Sequence, residues 1–194
     1  MFIQTELTPN PLTLKFMPGK NVMESGTAYF PNDKTIKKSP FAKRLFEVEG
    51  VEGVFFGSDF ITITKNQSTN WEIIKPMILG AIMDHYSSKE KVIEENMDNN
   101  TTKLDKEDSE IVKQIKELIE TRVRPAVAMD GGDIIYQKFE KGIVYLHMQG
   151  ACSGCPSSEA TLKTGIENML KHYIPEVKEI RSIDEWKAIR TLDE

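Results

Sequence analysis

With 194 residues, the chain has room for two small domains or one of middle size, and its 39% hydrophobic and 28% charged content is ordinary for a globular protein. A formal net charge of −5 leaves no basic excess to neutralise phosphates, which argues against a nucleic-acid binder. The only two cysteines, at positions 152 and 155, make no secreted disulfide framework and fit a reducing compartment.

The chain begins Met1-Phe2-Ile3-Gln4-Thr5-Glu6, without the basic and apolar regions of a signal peptide or the Arg/Ser-rich character of a transit peptide. No apolar run reaches membrane-spanning length. A soluble cytoplasmic protein of bacterial type is expected, without membrane contact; a mature mitochondrial form whose presequence has been removed is the alternative. Residues 1–86 read as one small α/β-type domain. Leu12 to Met17 alternates as a strand and stops at Pro18-Gly19, and Gly26 to Phe30 is a second, weaker strand. Ser39-Pro40 predicts a helix start, with Ser39 as N-cap and Phe41, Leu45 and Phe46 as the apolar stripe. Val51 to Phe56 and Phe60 to Lys65 flank Gly57-Ser58-Asp59 as a β-hairpin. Asn70 caps a helix with the stripe Ile74, Ile78, Ala81 and Ile82, and Pro76 inside the pattern predicts a late start or a bend.

Residues 87–108 are polar and Asn-rich, too poor in large apolar side chains to offset the entropy of ordering, and read as a flexible linker. The second domain, 109–183, opens with a helix capped by Asp108 or Ser109, with Ile111, Ile115, Leu118, Ile119 and Val123 on one face and Pro125 as its end. Asp130-Gly131-Gly132-Asp133 predicts a turn with a glycine at positive φ. Ile134 to Phe139 and Ile143 to Met148 form a second hairpin across Glu140-Lys141-Gly142. After the cysteine loop comes a helix from Ser157 to His172 with Leu162, Ile166, Met169, Leu170 and Tyr173 on one face, then a short strand within Glu176 to Ile183. Residues 184–194 read as a tail. The fold class is α+β, two small α/β-type domains joined by the linker, the second of order α-β-β-α-β.

Gly150-Ala151-Cys152-Ser153-Gly154-Cys155-Pro156-Ser157-Ser158 sits between strand and helix. A lone C-x-x-C is ambiguous among a redox dithiol, half a zinc site and half an iron–sulfur site. Pro156 suits the first helical position, so the thiols are expected at a helix N-terminus, where backbone N–H groups and the dipole favour thiolates. Thiolates select zinc, Cu(I) or iron–sulfur clusters, but such sites need four donors and this chain has two sulfurs. A homodimer about a two-fold axis would supply four. His85, His147 and His172 stand at no ligand spacing from the cysteines and read as surface or packing residues. With no Gly-rich phosphate loop, no H-E-x-x-H and no placed carboxylate pair, no catalytic residue is assigned and the chain is not read as an enzyme. A thiol–disulfide oxidoreductase, disfavoured by the α-β-β-loop-α context, and a structural zinc dimer stay open at this point.

The second domain resembles a known family. Asp130-Gly131-Gly132-Asp133, the hairpin, the nine-residue cysteine loop and Leu162-Lys163 with Gly165-Ile166-Glu167 are similar to the C-terminal domain of NifU, shared by Nfu-type iron–sulfur proteins. Thr8-Pro9-Asn10-Pro11, Leu14-Lys15-Phe16, Ser39-Pro40, and Gly50-Val51 through Gly57-Ser58-Asp59-Phe60-Ile61 resemble the N-terminal domain of the same proteins. The resemblance implies a cluster scaffold or carrier that becomes a homodimer on cluster binding. Cys152 and Cys155 match the family's metal and cofactor ligands, holding a [4Fe–4S] cluster (with [2Fe–2S] the alternative) shared between two chains. It also implies delivery to apo iron–sulfur enzymes and supply by upstream cluster-assembly proteins. Ser153 and nearby N–H groups are candidates to hydrogen-bond the cluster sulfurs. The N-terminal domain, without cysteine, is left to partner docking or to modulating the dimer.

Overall fold

A computed structural model describes residues 2–32, 36, 39–94 and 109–183. The first unit is a five-stranded antiparallel sheet, formed by β1 (Gln4–Leu7), β2 (Thr13–Met17), β3 (Ala28–Phe30), β4 (Val51–Phe56) and β5 (Ile61–Lys65) in the spatial order β1-β2-β5-β4-β3. Helices α1 (Pro40–Phe46) and α2 (Trp71–Ser88) cover one face. Period-2 alternation decides which residues meet them: Leu14, Phe16, Val54, Phe56, Ile61 and Ile63 join Phe41, Leu45, Ile74, Ile78 and Ile82 in one core. The caps are those expected: Ser39 Oγ accepts from Ala42 N at 3.0 Å, and Asn70 Oδ1 accepts from Glu72 N at 3.0 Å. Helix α2 starts at Trp71 and continues past Pro76, so the expected late start is absent. Strand β1 was not legible, because its residues form an exposed edge with no buried alternation.

Ser87 and Ser88, read as linker, lie in α2. The chain then folds back on its own domain: Val92 and Ile93 pack against the core, Ser39 Oγ donates to Val92 O at 2.5 Å, and Arg44 pairs with Glu90 at 2.9 Å. The rest of the expected linker, 95–108, and the tail, 184–194, lie outside the described residues.

His85, near the end of α2, is 2% exposed and stacks on Phe41 with ring centroids 3.8 Å apart. Burial first, and then the Arg44 charge, lower its pKa from the ordinary 6.5, outweighing the opposite pull of Glu90. A histidine with a depressed folded-state pKa contributes stability above its unfolded pKa and loses it as pH falls through that value. Stability is therefore expected to fall as pH drops below about 6.5. Urea unfolding at pH 7.5 and 5.5 should show this drop in the parent and a smaller one in His85→Phe; equal drops would remove His85 from the account.

The second unit begins with α3 (Glu110–Leu118), capped by Ser109. One π-helical turn (Ile119–Val123) then leads into α4 (Arg124–Met129), so Pro125 does not end the helix. In a continuous α-helix its ring would clash with the carbonyl four residues back; the wider turn just before it accommodates the ring. The same turn explains the strict four-residue spacing of the buried Ile115, Ile119, Val123 and Val127, which would drift by about 40° per step on an α-helix. Strands β6 (Gly132–Glu140) and β7 (Ile143–Gly150) form the expected hairpin, with Lys141 and Gly142 at φ 52° and 84° in the turn. Helix α5 (Pro156–Tyr173) follows, and β8 (Glu179–Ser182) returns parallel to β7 in the order β6-β7-β8. Ile166 and Leu170 of α5 are buried as expected, but Tyr173 is 47% exposed and lies under the Arg122 guanidinium instead.

Among the described residues no helix of the first unit lies on the second face of its sheet; the second unit meets that face. Phe55 and Thr62 point to it and are both fully buried, although Phe55 belongs to neither hydrophobic core.

Candidate metal centre

The two cysteines sit where β6 and β7 end side by side, with Gly132 paired to Gly150. Gly131, at φ 85°, makes the expected turn. The loop then coils on itself: Ala151 N donates to Gly131 O at 3.2 Å, Cys152 N to Gln149 O at 3.3 Å, and Ser153 N to Gly150 O at 3.2 Å. Cys155 is the N-cap of α5, its carbonyl accepting from Glu159 N at 2.9 Å. Gly132 is required by close approach. A Cβ there would run into Cys152 Sγ and stand 2.8 Å from Gln149 O.

Beneath the loop lies a charge network that sequence reading missed. Arg124 grips Asp133 with both arms of its fork, Nε to Oδ1 at 2.8 Å and Nη2 to Oδ2 at 2.7 Å, while its Nη1 bonds Glu120 at 2.8 Å. Asp133 also accepts from Ile134 N at 2.8 Å and from Thr27 Oγ1, across the domains, at 2.9 Å. The bidentate pair holds the Arg124 guanidinium charged, its pKa above the ordinary range. It ties α4 to the start of β6, the strand whose first residue, Gly132, abuts Cys152. The one available signal was a charged residue directly ahead of the apolar run Ile134-Ile135-Tyr136.

The thiols differ. Cys155 is half-buried at the helix N-terminus, as expected, whereas Cys152 is buried in the core of its domain. Burial pushes the Cys152 thiol up to about 12, and the negative charges of Asp133, Asp130 and Glu159 add to the effect. The helix-terminus argument for a thiolate therefore fails at Cys152, which keeps its proton in this conformation. The histidines lie apart from the loop's ends: His85 in the first core, His172 edge-on to Tyr173 at 5.0 Å, and His147 beside Gln149 on β7. Among the described residues no three His, Cys, Asp or Glu side chains converge as a metal site. What the loop offers is a pair of sulfur donors.

Ser153, between the cysteines, is held from the other domain: Asn10 Nδ2 donates to its carbonyl at 2.9 Å, and the Tyr29 hydroxyl shares a 3.0 Å hydrogen bond with its Oγ.

Comparison with known proteins matches both units. Residues 3–89 fit the family profile described as scaffold protein Nfu/NifU N terminal, and residues 115–181 that of the NifU-like domain. The chain is 50% identical over 194 residues to a Drosophila sechellia protein named NFU1 iron-sulfur cluster scaffold homolog, mitochondrial, covering all of this chain and 68% of that one. It is 56% identical over 182 residues to NifU-like protein 4, mitochondrial, of Arabidopsis thaliana, covering 92% of this chain and 64% of the other. Among solved structures, a solution structure of a NifU-like protein from Saccharomyces cerevisiae is 30% identical over 50% of this chain and 87% of that one, with a TM-score of 0.45.

Proposed function

Because this chain belongs to the Nfu-type, NifU-like family of iron–sulfur scaffold proteins, we propose that it is a scaffold and carrier for a [4Fe–4S] cluster. Cys152 and Cys155 of two copies would together hold one cluster and yield it to the thiolates of an apo-protein. The observation that carries this reading is the pair of sulfur donors with no third donor converging on it among the described residues. Four-ligand sites need two such pairs.

The cluster is cargo, so the chain's task is to take it up and let it go. Cys152 must surrender a tightly held proton to become a ligand, and loading is accordingly favoured by rising pH. The same feature weighs against a thiol–disulfide oxidoreductase, whose attacking C-x-x-C thiol has a lowered pKa rather than a raised one. The free N–H groups of the first turn of α5 would meet cluster sulfurs, whereas the Ser153 hydroxyl donates to Gly150 O at 3.1 Å. No catalytic step is assigned. Apo iron–sulfur proteins are the recipients and cluster-assembly proteins the source. Of the two compartments, the mitochondrial one is favoured by the names of the relatives. No helix among the described residues is long and apolar enough to cross a membrane.

Anaerobic reconstitution with iron and sulfide tests this directly. About two irons and two sulfides per chain, with transfer to an apo-enzyme, are expected. A protein that takes up only zinc would overturn the proposal.

A further inference from the structure

The second face of the first sheet carries one row of side chains across four strands. Lys15 on β2 pairs with Thr62 on β5, Thr62 with Phe55 on β4, and Phe55 with Tyr29 on β3. Every member of the row meets the loops that build the cysteine site. Lys15 Nζ donates to Met129 O at 2.9 Å, and Thr62 Oγ1 to Gly131 O at 2.6 Å. The Phe55 ring lies against Gly150, where a Cβ would stand 3.0 Å from its Cγ. Tyr29 bonds Ser153 Oγ, and Asn10, fully buried beside the row, bonds Ser153 O.

From this row we infer that the N-terminal sheet is a docking face for the chain's own cysteine loop. It seats the loop in the unloaded protein and must release it before a second copy can share a cluster there. Three features support this function over a permanent domain contact. The polar contacts converge on 128–133 and 150–153, around the two turns that form the site. All but the Phe55 ring and the Thr27 bond to the Asp133 carboxylate are hydrogen bonds to backbone or hydroxyl groups, whose net worth in water is modest and which water can replace on opening. Ser153, the residue clasped by Asn10 and Tyr29, lies between the two proposed ligands. A partner loop approaching the same thiols about a two-fold axis would need the space these side chains occupy. Docking and sharing therefore compete, and the N-terminal domain, which brings no sulfur of its own, limits when the site can dimerise.

The inference rests on the carrier reading, and the test separates the two. Asn10→Asp keeps the oxygen that accepts from Leu12 N at 3.0 Å but replaces the donor to Ser153 O by a carboxylate; Tyr29→Phe removes only the hydroxyl. The double variant is compared with the parent, full length and unloaded, by small-angle scattering and by the rate at which Ellman's reagent modifies the thiols. Opening should enlarge the radius of gyration and raise the modification rate about thirtyfold, the factor expected from losing two hydrogen bonds of ordinary net strength. On reconstitution the double variant should dimerise at lower protein concentration than the parent. Phe55→Glu, which sets a charge at the centre of the row, should reproduce both effects if the double variant fails to fold. Unchanged scattering and unchanged thiol reactivity in the folded variants would overturn the docking face. Opening without easier dimerisation would overturn the competition. These unloaded readouts need no cluster, so a docking face that opens in a protein that never loads would count against the carrier reading alone.

Discussion

Cys155→Ala is expected to abolish cluster loading and the dimerisation that accompanies it, with the circular dichroism spectrum and unfolding midpoint left as in the parent. Cys155 is half-buried at the head of α5 and belongs to neither core, so its removal takes away a ligand and little packing. Cys152→Ala is expected to abolish loading equally but at a different structural cost. Cys152 packs in the second core among residues such as Val144, Met148 and Ile166, and losing its sulfur should destabilise the domain by about 1 kcal/mol. The two variants thus share one functional result and differ in stability. Iron analysis together with urea unfolding measures both. Residual loading in either variant, at the parent's stoichiometry, would remove that cysteine from the ligand set.

Arg124→Ala should give the largest loss of stability of any single change near the site, about 3 kcal/mol. Its guanidinium is the bidentate partner of Asp133, and the two side chains are 14% and 5% exposed. Removing it leaves a buried carboxylate supported only by Ile134 N and Thr27 Oγ1. An uncompensated buried charge costs more than the contact itself contributes, and Arg124→Lys should recover only part of the loss, because an ammonium cannot span both oxygens. The damage also reaches the site, since Asp133 follows Gly132, whose Cα the Cys152 sulfur touches closely. Denaturant unfolding of the C-terminal transition is the measurement. A loss below about 1 kcal/mol would mean that water replaces the guanidinium without penalty.

Local chemistry made most of the fold legible. The Ser39, Asn70 and Ser109 caps, the two hairpins and the apolar stripes of α1 and α2 follow from residues in immediate succession, and the structure has them where the sequence puts them. What escaped depends on partners distant in sequence. Pro125 read as a helix end because a proline's effect on an ordinary α-helix is to stop it, and the four-residue spacing of Ile115, Ile119, Val123 and Val127 was the local sign of a π turn that went unread. Val92 and Ile93 sit in polar surroundings in the sequence, and their partial burial depends on a core whose residues lie far from them in the chain.

The site divides the same way. The C-x-x-C and its strand-to-helix setting were readable from the sequence, and ligand counting is what supports the proposal of a second pair of sulfurs. The protonated state of Cys152 was not, because it depends on burial and on Asp130 and Asp133, twenty residues earlier and across a turn. Nor was the row Lys15–Thr62–Phe55–Tyr29, since alternation places these residues on the outward face of half-buried strands. Phe55 was the one hint, an aromatic residue where a solvated strand would carry a polar one.

Native mass spectrometry of the anaerobically reconstituted protein tests the central claim most directly. The predicted species is two chains plus a single four-iron, four-sulfur cluster, absent from both cysteine variants. A loaded monomer, or a dimer carrying one cluster on each chain, would contradict it.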